Sequence, residues 1–113
     1  MPMEKPSAAL VARYEELAEV VPQADRKLVF GSPCCLAGGN MFFGVHAVGI
    51  FVKLPPEQGQ ELLSDGGAPF EPMPGRAMGG FYVLPDGEVA DWVRRSYDYV
   101  RSLPAKEPKK AAR

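Results

Sequence analysis

From residue 8 onward the apolar positions recur at helical spacing: Leu10, Val11, Tyr14, Leu17, Ala18 and Val21 share one face. Arg13, Glu15, Glu16 and Glu19 fall largely on the other, which predicts an amphipathic helix over residues 8–21. Ser7 supplies an N-cap hydroxyl, and Pro22 stops the helix at or before Val21. Between Lys27 and Leu54 the texture changes to short apolar runs broken by glycine. Leu28-Val29-Phe30, Cys34-Cys35-Leu36, Met41-Phe42-Phe43-Gly44-Val45 and Ile50-Phe51-Val52-Lys53-Leu54 are four strand candidates. Their connections, Gly31-Ser32-Pro33, Gly38-Gly39-Asn40 and His46-Ala47-Val48-Gly49, are too short for parallel crossovers, so the strands form an antiparallel meander. The second connection tolerates positive φ and predicts a tight hairpin.

Pro55-Pro56 opens a short helix over residues 56–64, and Gly66-Gly67 is its stop signal. Residues 70–79 are Pro-rich and irregular, which excludes a central strand there. Phe81-Tyr82-Val83-Leu84 makes one more strand. In the last helix Val89, Trp92, Val93, Tyr97, Val100 and Leu103 form an apolar stripe, with Asp86 as its expected cap. The pairs Asp91–Arg95 and Arg94–Asp98 lie at i,i+4 on the opposite face. Pro104 ends the helix. The pattern predicts an α+β fold in two layers: an antiparallel sheet of about five strands covered by three helices, in the order α-β-β-β-β-α-β-α.

A chain of 113 residues fits one domain, here 1–103, and residues 104–113 form a basic tail that the sequence predicts to be disordered. The 12 glycines and 12 prolines cluster at the joints between apolar runs and so act as turn chemistry. The net charge of −1 argues against a body built to embrace nucleic acid or an anionic membrane. Its distribution is uneven, because Lys106, Lys109, Lys110 and Arg113 against Glu107 leave the tail at +3 and the rest at −4. The tail therefore offers weak, non-specific nucleic-acid affinity at most. No apolar stretch is long enough to span a bilayer and the N-terminus carries no signal-peptide core, so a cytoplasmic location is expected.

Arg26-Lys27 leading into Val29-Phe30-Gly31, then Asn40-Met41-Phe42 and Phe51-Val52-Lys53-Leu54, resemble the opening strands of TfoX N-terminal domains. So do Gly67-Ala68-Pro69-Phe70, Met73-Pro74-Gly75-Arg76-Ala77-Met78, Phe81-Tyr82-Val83-Leu84-Pro85 and the closing Trp92-Val93 helix. The resemblance runs from about Leu10 to Leu103. It implies a compact two-layer domain of the type also found in secretion chaperones, here standing alone. It also implies a link to regulators of competence genes, without catalytic residues to carry across.

Candidate chemistry is sparse. Cys34 and Cys35 are adjacent, so they make neither a C-x-x-C motif nor a zinc knuckle. Neighbouring Cα atoms sit about 3.8 Å apart, below the usual disulfide range of about 4.4–6.8 Å. In a strand the two thiols point to opposite faces, which predicts one in the core and one exposed. The exposed thiol is reactive only if Arg26 or Lys27 depresses its pKa. His46, the only histidine, lies in a turn with no carboxylate or nucleophile nearby in sequence. Arg76 sits in a loop built from Phe70 and two methionines and is a candidate binding residue, as are Arg26 and Lys27. The glycine runs do not fit a phosphate-binding loop. No cofactor or metal site is expected.

These readings rank a non-enzymatic protein-interaction or regulatory module first, with a protein as the expected partner and a second copy of the chain (a homodimer) among the candidates. A thiol-dependent redox or enzymatic protein using Cys34 or Cys35 is the alternative. An accessory nucleic-acid binder acting through the tail is the third.

Overall fold

Ser7 starts the first helix as its sequence requires: its Oγ accepts the Leu10 backbone N–H at 3.1 Å, capping α1 (Ala8–Ala18). The computed structural model describes residues 6–29, 32–71, 75 and 79–103. After α1 come β1 (Asp25–Val29), β2 (Ser32–Ala37), β3 (Asn40–His46) and β4 (Gly49–Lys53), each antiparallel to the one before. Helix α2 (Pro56–Ser64) then carries the chain to β5 (Ala68–Pro69) and β6 (Phe81–Val83), and α3 (Ala90–Arg101) closes the described part. The strands form one open sheet of six in the order β1-β2-β3-β4-β6-β5.

The α+β architecture and the element order agree with the sequence pattern, with one strand more. The two-residue β5 pairs with β6 at the far edge, where Pro69 is tolerated because an edge strand has a ladder on one side only. Three other boundaries differ. Helix α1 stops at Ala18, and Val20 and Val21 continue it as turns bonded to Leu17 and Ala18. Strand β1 begins at Asp25, so its first three residues are charged, whereas Phe30 lies outside the described residues. Asp86 does not cap α3, because that helix begins later, with Val89 at the cap position and no side-chain cap. Asp86 instead lies beside α1, its carboxylate 3.9 Å from Arg13, which also donates to the Pro85 and Gly87 carbonyls.

The turn between β2 and β3 is the tight hairpin the glycines promised. Ala37 pairs with Asn40, leaving Gly38 at φ 60° and Gly39 at φ 84° between them. Positive φ at both central residues is the requirement of the turn whose twist matches the strands.

The helices cover one face of the sheet. Cys35, Phe43, Val45, Ile50 and Val52 from the strands meet Tyr14 and Ala18 of α1, Leu62 of α2 and Trp92, Val93 and Val100 of α3. Beyond Phe43 strict alternation would turn Phe42 to the other face, yet both phenylalanines belong to this core. A β-bulge makes this possible. Cys35 pairs with Phe43 and Leu36 with Met41, so Phe42 is an extra residue in β3. Both rings are fully buried, Phe43 stacked on Tyr14 at 4.9 Å and Phe42 tilted against Tyr97 at 5.4 Å. Each buried ring contributes roughly 1.5–3 kcal/mol of apolar burial.

Ser96 of α3 meets the backbone at this irregularity. It is the only buried polar side chain among the described residues. Its Oγ lies 2.9 Å from the Phe42 carbonyl and 2.6 Å from the Lys53 carbonyl, and accepts the Lys53 N–H at 3.1 Å. One hydroxyl thus joins α3 to the bulge of β3 and the end of β4.

The opposite face is not bare. Phe51, Phe70 and Phe81 form a second cluster there, with Met41 and Val83 against it. Phe51 and Phe70 stack with ring centroids 4.4 Å apart, and Lys53 Nζ lies 4.9 Å over Phe81. Gly44 makes room for it, since a Cβ at that position would sit 2.7 Å from Phe51 Cζ and 2.8 Å from Cys34 Cβ.

Ser96→Ala is expected to cost about 1–3 kcal/mol, because the backbone groups it serves stay buried without it. Urea unfolding with an unchanged slope and a lower midpoint is the outcome that checks this.

Candidate interaction interface

The two edges of the sheet differ. At one end β5 is two residues long and contains a proline, so it offers little backbone to a further strand. At the other end β1 is five residues long, and Asp25, Arg26, Lys27 and Leu28 are all exposed. The chemistry of β2 decides which backbone groups face outward. Leu28 pairs with Pro33, and a proline has no N–H to give, so this is a non-hydrogen-bonded pair. By alternation Lys27–Cys34 is a hydrogen-bonded pair and Arg26–Cys35 is not. The N–H and C=O groups of Arg26 and Leu28 therefore point away from β2. No turn, loop or cap bond among the described residues uses them either.

Side chains alternate along the same strand. Arg26 and Leu28 lie on the helical face of the sheet, and Asp25 and Lys27 on the other. Leu28 is 66% exposed, the most exposed large apolar side chain among the described residues. Arg26 donates to Glu15 of α1 at 2.9 Å. Both partners are about half exposed, so the pair adds little stability and chiefly fixes where the guanidinium lies. Of the three cationic candidates, Arg26 and Lys27 thus stand together on the free edge, and Arg76 lies outside the described residues.

Cys34 and Cys35 do point to opposite faces, but neither is exposed: Cys34 retains 2% of its surface and Cys35 none. The expectation of one exposed thiol fails because the second aromatic cluster covers the face that a two-layer reading leaves open. Burial raises both thiol pKa values above the usual range. Lys27 pulls Cys34 downward and Arg26 pulls Cys35 downward, the direction a reactive thiol needs, but desolvation outweighs both. Tyr14 Oη lies 3.3 Å from Cys35 Sγ, and its own pKa is raised first by burial and then by that bond. The arrangement is a core contact between two neutral groups.

His46 ends β3, and its Nδ1 accepts the Val48 N–H at 3.2 Å across the turn. Its ring and that of Phe70 stand nearly perpendicular, with centroids 5.5 Å apart. An open depression of about 450 Å³ lies between α2 and α3, lined by Glu61, Ser64, Asp65, Asp91, Trp92 and Arg95. Arg95 bonds Asp91 at 2.9 Å and Glu61 at 3.2 Å while lying 4.5 Å over the Trp92 ring. Arg95 thus joins α2 to α3 through exposed ion pairs that add little stability. Arg94 turns to Asp91 at 3.9 Å and not to Asp98, as its spacing had suggested. Among the described residues no three His, Cys, Asp or Glu side chains gather as a metal site, and no helix is long and apolar enough to cross a membrane.

Sequence reasoning took Arg26 and Lys27 as the lead-in to a strand and missed Asp25 and Leu28 as members of an exposed edge. The signal was present in Pro33, which fixes the pairing phase. Compared with family models, curated proteins and solved structures, the chain matches none.

With both thiols buried and their pKa values raised, a disulfide reagent at pH 8 is expected to label the native protein at least about tenfold more slowly than the urea-unfolded chain. The raised values also make stability fall with pH. The unfolded thiols ionise from about pH 8.5, while the folded ones keep their protons until their higher pKa values are passed. Urea midpoints measured from pH 7 to 10 should therefore hold steady at first and then decline.

Proposed function

We propose that this chain is a non-enzymatic interaction module of the TfoX N-terminal type, a regulatory domain that binds a protein partner by adding a strand to β1. The observation that carries this reading is the open β1 edge, set against a β5 edge already blunted by its length and by Pro69. An extended segment laid beside β1 satisfies the outward backbone groups of Arg26 and Leu28 and covers the exposed Leu28 side chain. Main-chain bonds supply affinity in this mode, and alternate side chains supply selectivity. Here those side chains are Asp25 and Lys27 on one face and Arg26 and Leu28 on the other. The TfoX-type reading rests on the ordered set of motifs from Leu10 to Leu103, and the regulatory role follows from that resemblance.

A proline at position 28 separates this edge from any other surface. Leu28→Pro removes an outward N–H that β2 does not use, so the fold is expected to persist and strand addition to fail. Leu28→Ala keeps the N–H and is expected to retain the partner. Lys27→Pro removes a ladder bond to β2 and is expected to cost about 1–3 kcal/mol of stability. The readout is the set of proteins that co-purify stoichiometrically with the endogenous chain. Partners lost with Leu28→Pro and kept with Leu28→Ala support the reading; partners kept by both remove it.

A further inference from the structure

Resting on that edge reading, we infer that the strand added to β1 is β1 of a second copy of this chain, paired antiparallel about a two-fold axis at Arg26. The edge is complementary to itself in that register and not in the neighbouring one. With Arg26 opposite Arg26, Asp25 of each copy stands opposite Lys27 of the other, twice across the axis. The phase fixed by Pro33 makes these non-hydrogen-bonded pairs, in which facing side chains approach most closely. Opposite charges thus meet where the sheet brings side chains nearest.

The remaining positions agree. Arg26 and Arg26 exchange their outward N–H and C=O groups as a hydrogen-bonded pair, the wider spacing. Each guanidinium is already held by its own Glu15 at 2.9 Å, which offsets the like charge across the axis. Leu28 comes to lie over Ala24 of the second copy and loses much of its exposure to water. Ala24 gives its N–H to the Val21 carbonyl within its own copy, so towards Leu28 it offers only its carbonyl. Moving the axis by one residue, to Lys27, sets Lys27 against Lys27 in the close pair and Asp25 against Val29. Like charges directly opposite destabilise a strand pair, so charge selects the first register. The contact is short, so the dimer is concentration-dependent, and its exposed ion pairs make it weaken with salt.

The test exchanges the charges. Asp25→Lys alone sets lysine against lysine across the axis, and Lys27→Asp alone sets aspartate against aspartate. Each single variant is expected to dimerise at least about tenfold more weakly than the unaltered chain. Mixed in equal amounts, the two variants restore both pairs and form a heterodimer to within about threefold of the original affinity. Sedimentation equilibrium from about 1 μM to 1 mM measures all four samples, with circular dichroism confirming that each is folded. Recovery in the mixture establishes the second copy and its register. A chain that stays monomeric throughout overturns self-pairing, and leaves the edge reading to the Leu28→Pro comparison. A dimer that forms in the unaltered chain but is not recovered in the mixture overturns the register proposed here. A dimer indifferent to Leu28→Pro overturns the edge as its seat.

Discussion

The fold turns on a hydroxyl at an irregularity. Strict alternation along β3 would divide Phe42 and Phe43 between the two faces of the sheet, and the helical core needs both rings. The bulge supplies the parity shift, but it interrupts the β2–β3 ladder at Phe42, whose carbonyl lies beneath α3. A buried carbonyl without a partner costs about as much as one of these rings gains, so the bulge is tolerable only with a donor in reach. Ser96 is that donor, and because it also serves Lys53 it holds the helix to two strands at once. Hydrophobic burial sets the size of the core. The serine sets where α3 lies across it.

The second face follows from the same shift. Before the bulge Met41 points away from the helices, and after it Gly44 and then His46 do so. Across β4 and β6 the same face carries Phe51, Phe81 and Val83, and Phe70 stacks over Phe51. Cys34 faces this layer and Cys35 the helical one, so opposite orientation leads to burial of both. In that setting a neighbouring cation matters less than it would at a surface. Arg26 and Lys27 act on the thiols in the activating direction, and the loss of water around each sulfur acts more strongly the other way. Proximity in sequence singles out Arg26 and Lys27 as the cations that act on the thiols, and burial decides the outcome.

That contrast separates what could be read from the chain from what could not. Helix α2 was legible, because Pro55-Pro56 and Gly66-Gly67 are local signals that need no tertiary context. The apolar stripes of α1 and α3 were legible for the same reason, as was the Gly38-Gly39 turn. The bulge was not, since an adjacent aromatic pair such as Phe42-Phe43 reads equally well as one inward and one outward ring. Ser96 sits inside the α3 stripe as its only small polar member, a position that acquires meaning only once the Phe42 carbonyl lies beneath it. Strand β5 was too short to show a period. The start of β1 was hidden because Asp25-Arg26-Lys27 lacks any apolar alternation, and its pairing comes from β2.

An edge strand written in charges is usually a defence against unwanted pairing, since a foreign strand must bury or match them. The β1 edge is defended against most sequences in this way. It is not defended against its own, because Asp25 and Lys27 lie two residues apart with opposite sign and meet each other when the strand is reversed. Arg26 stands between them and would spoil the match if it were free, and Glu15 of α1 binds it. The opposite edge needs no such device, as Pro69 and a length of two residues already close it. A sheet with one edge closed by geometry and the other filtered by charge can extend in one direction only. Geometry acts at one edge through length and proline, and electrostatics at the other through the alternation of sign along β1.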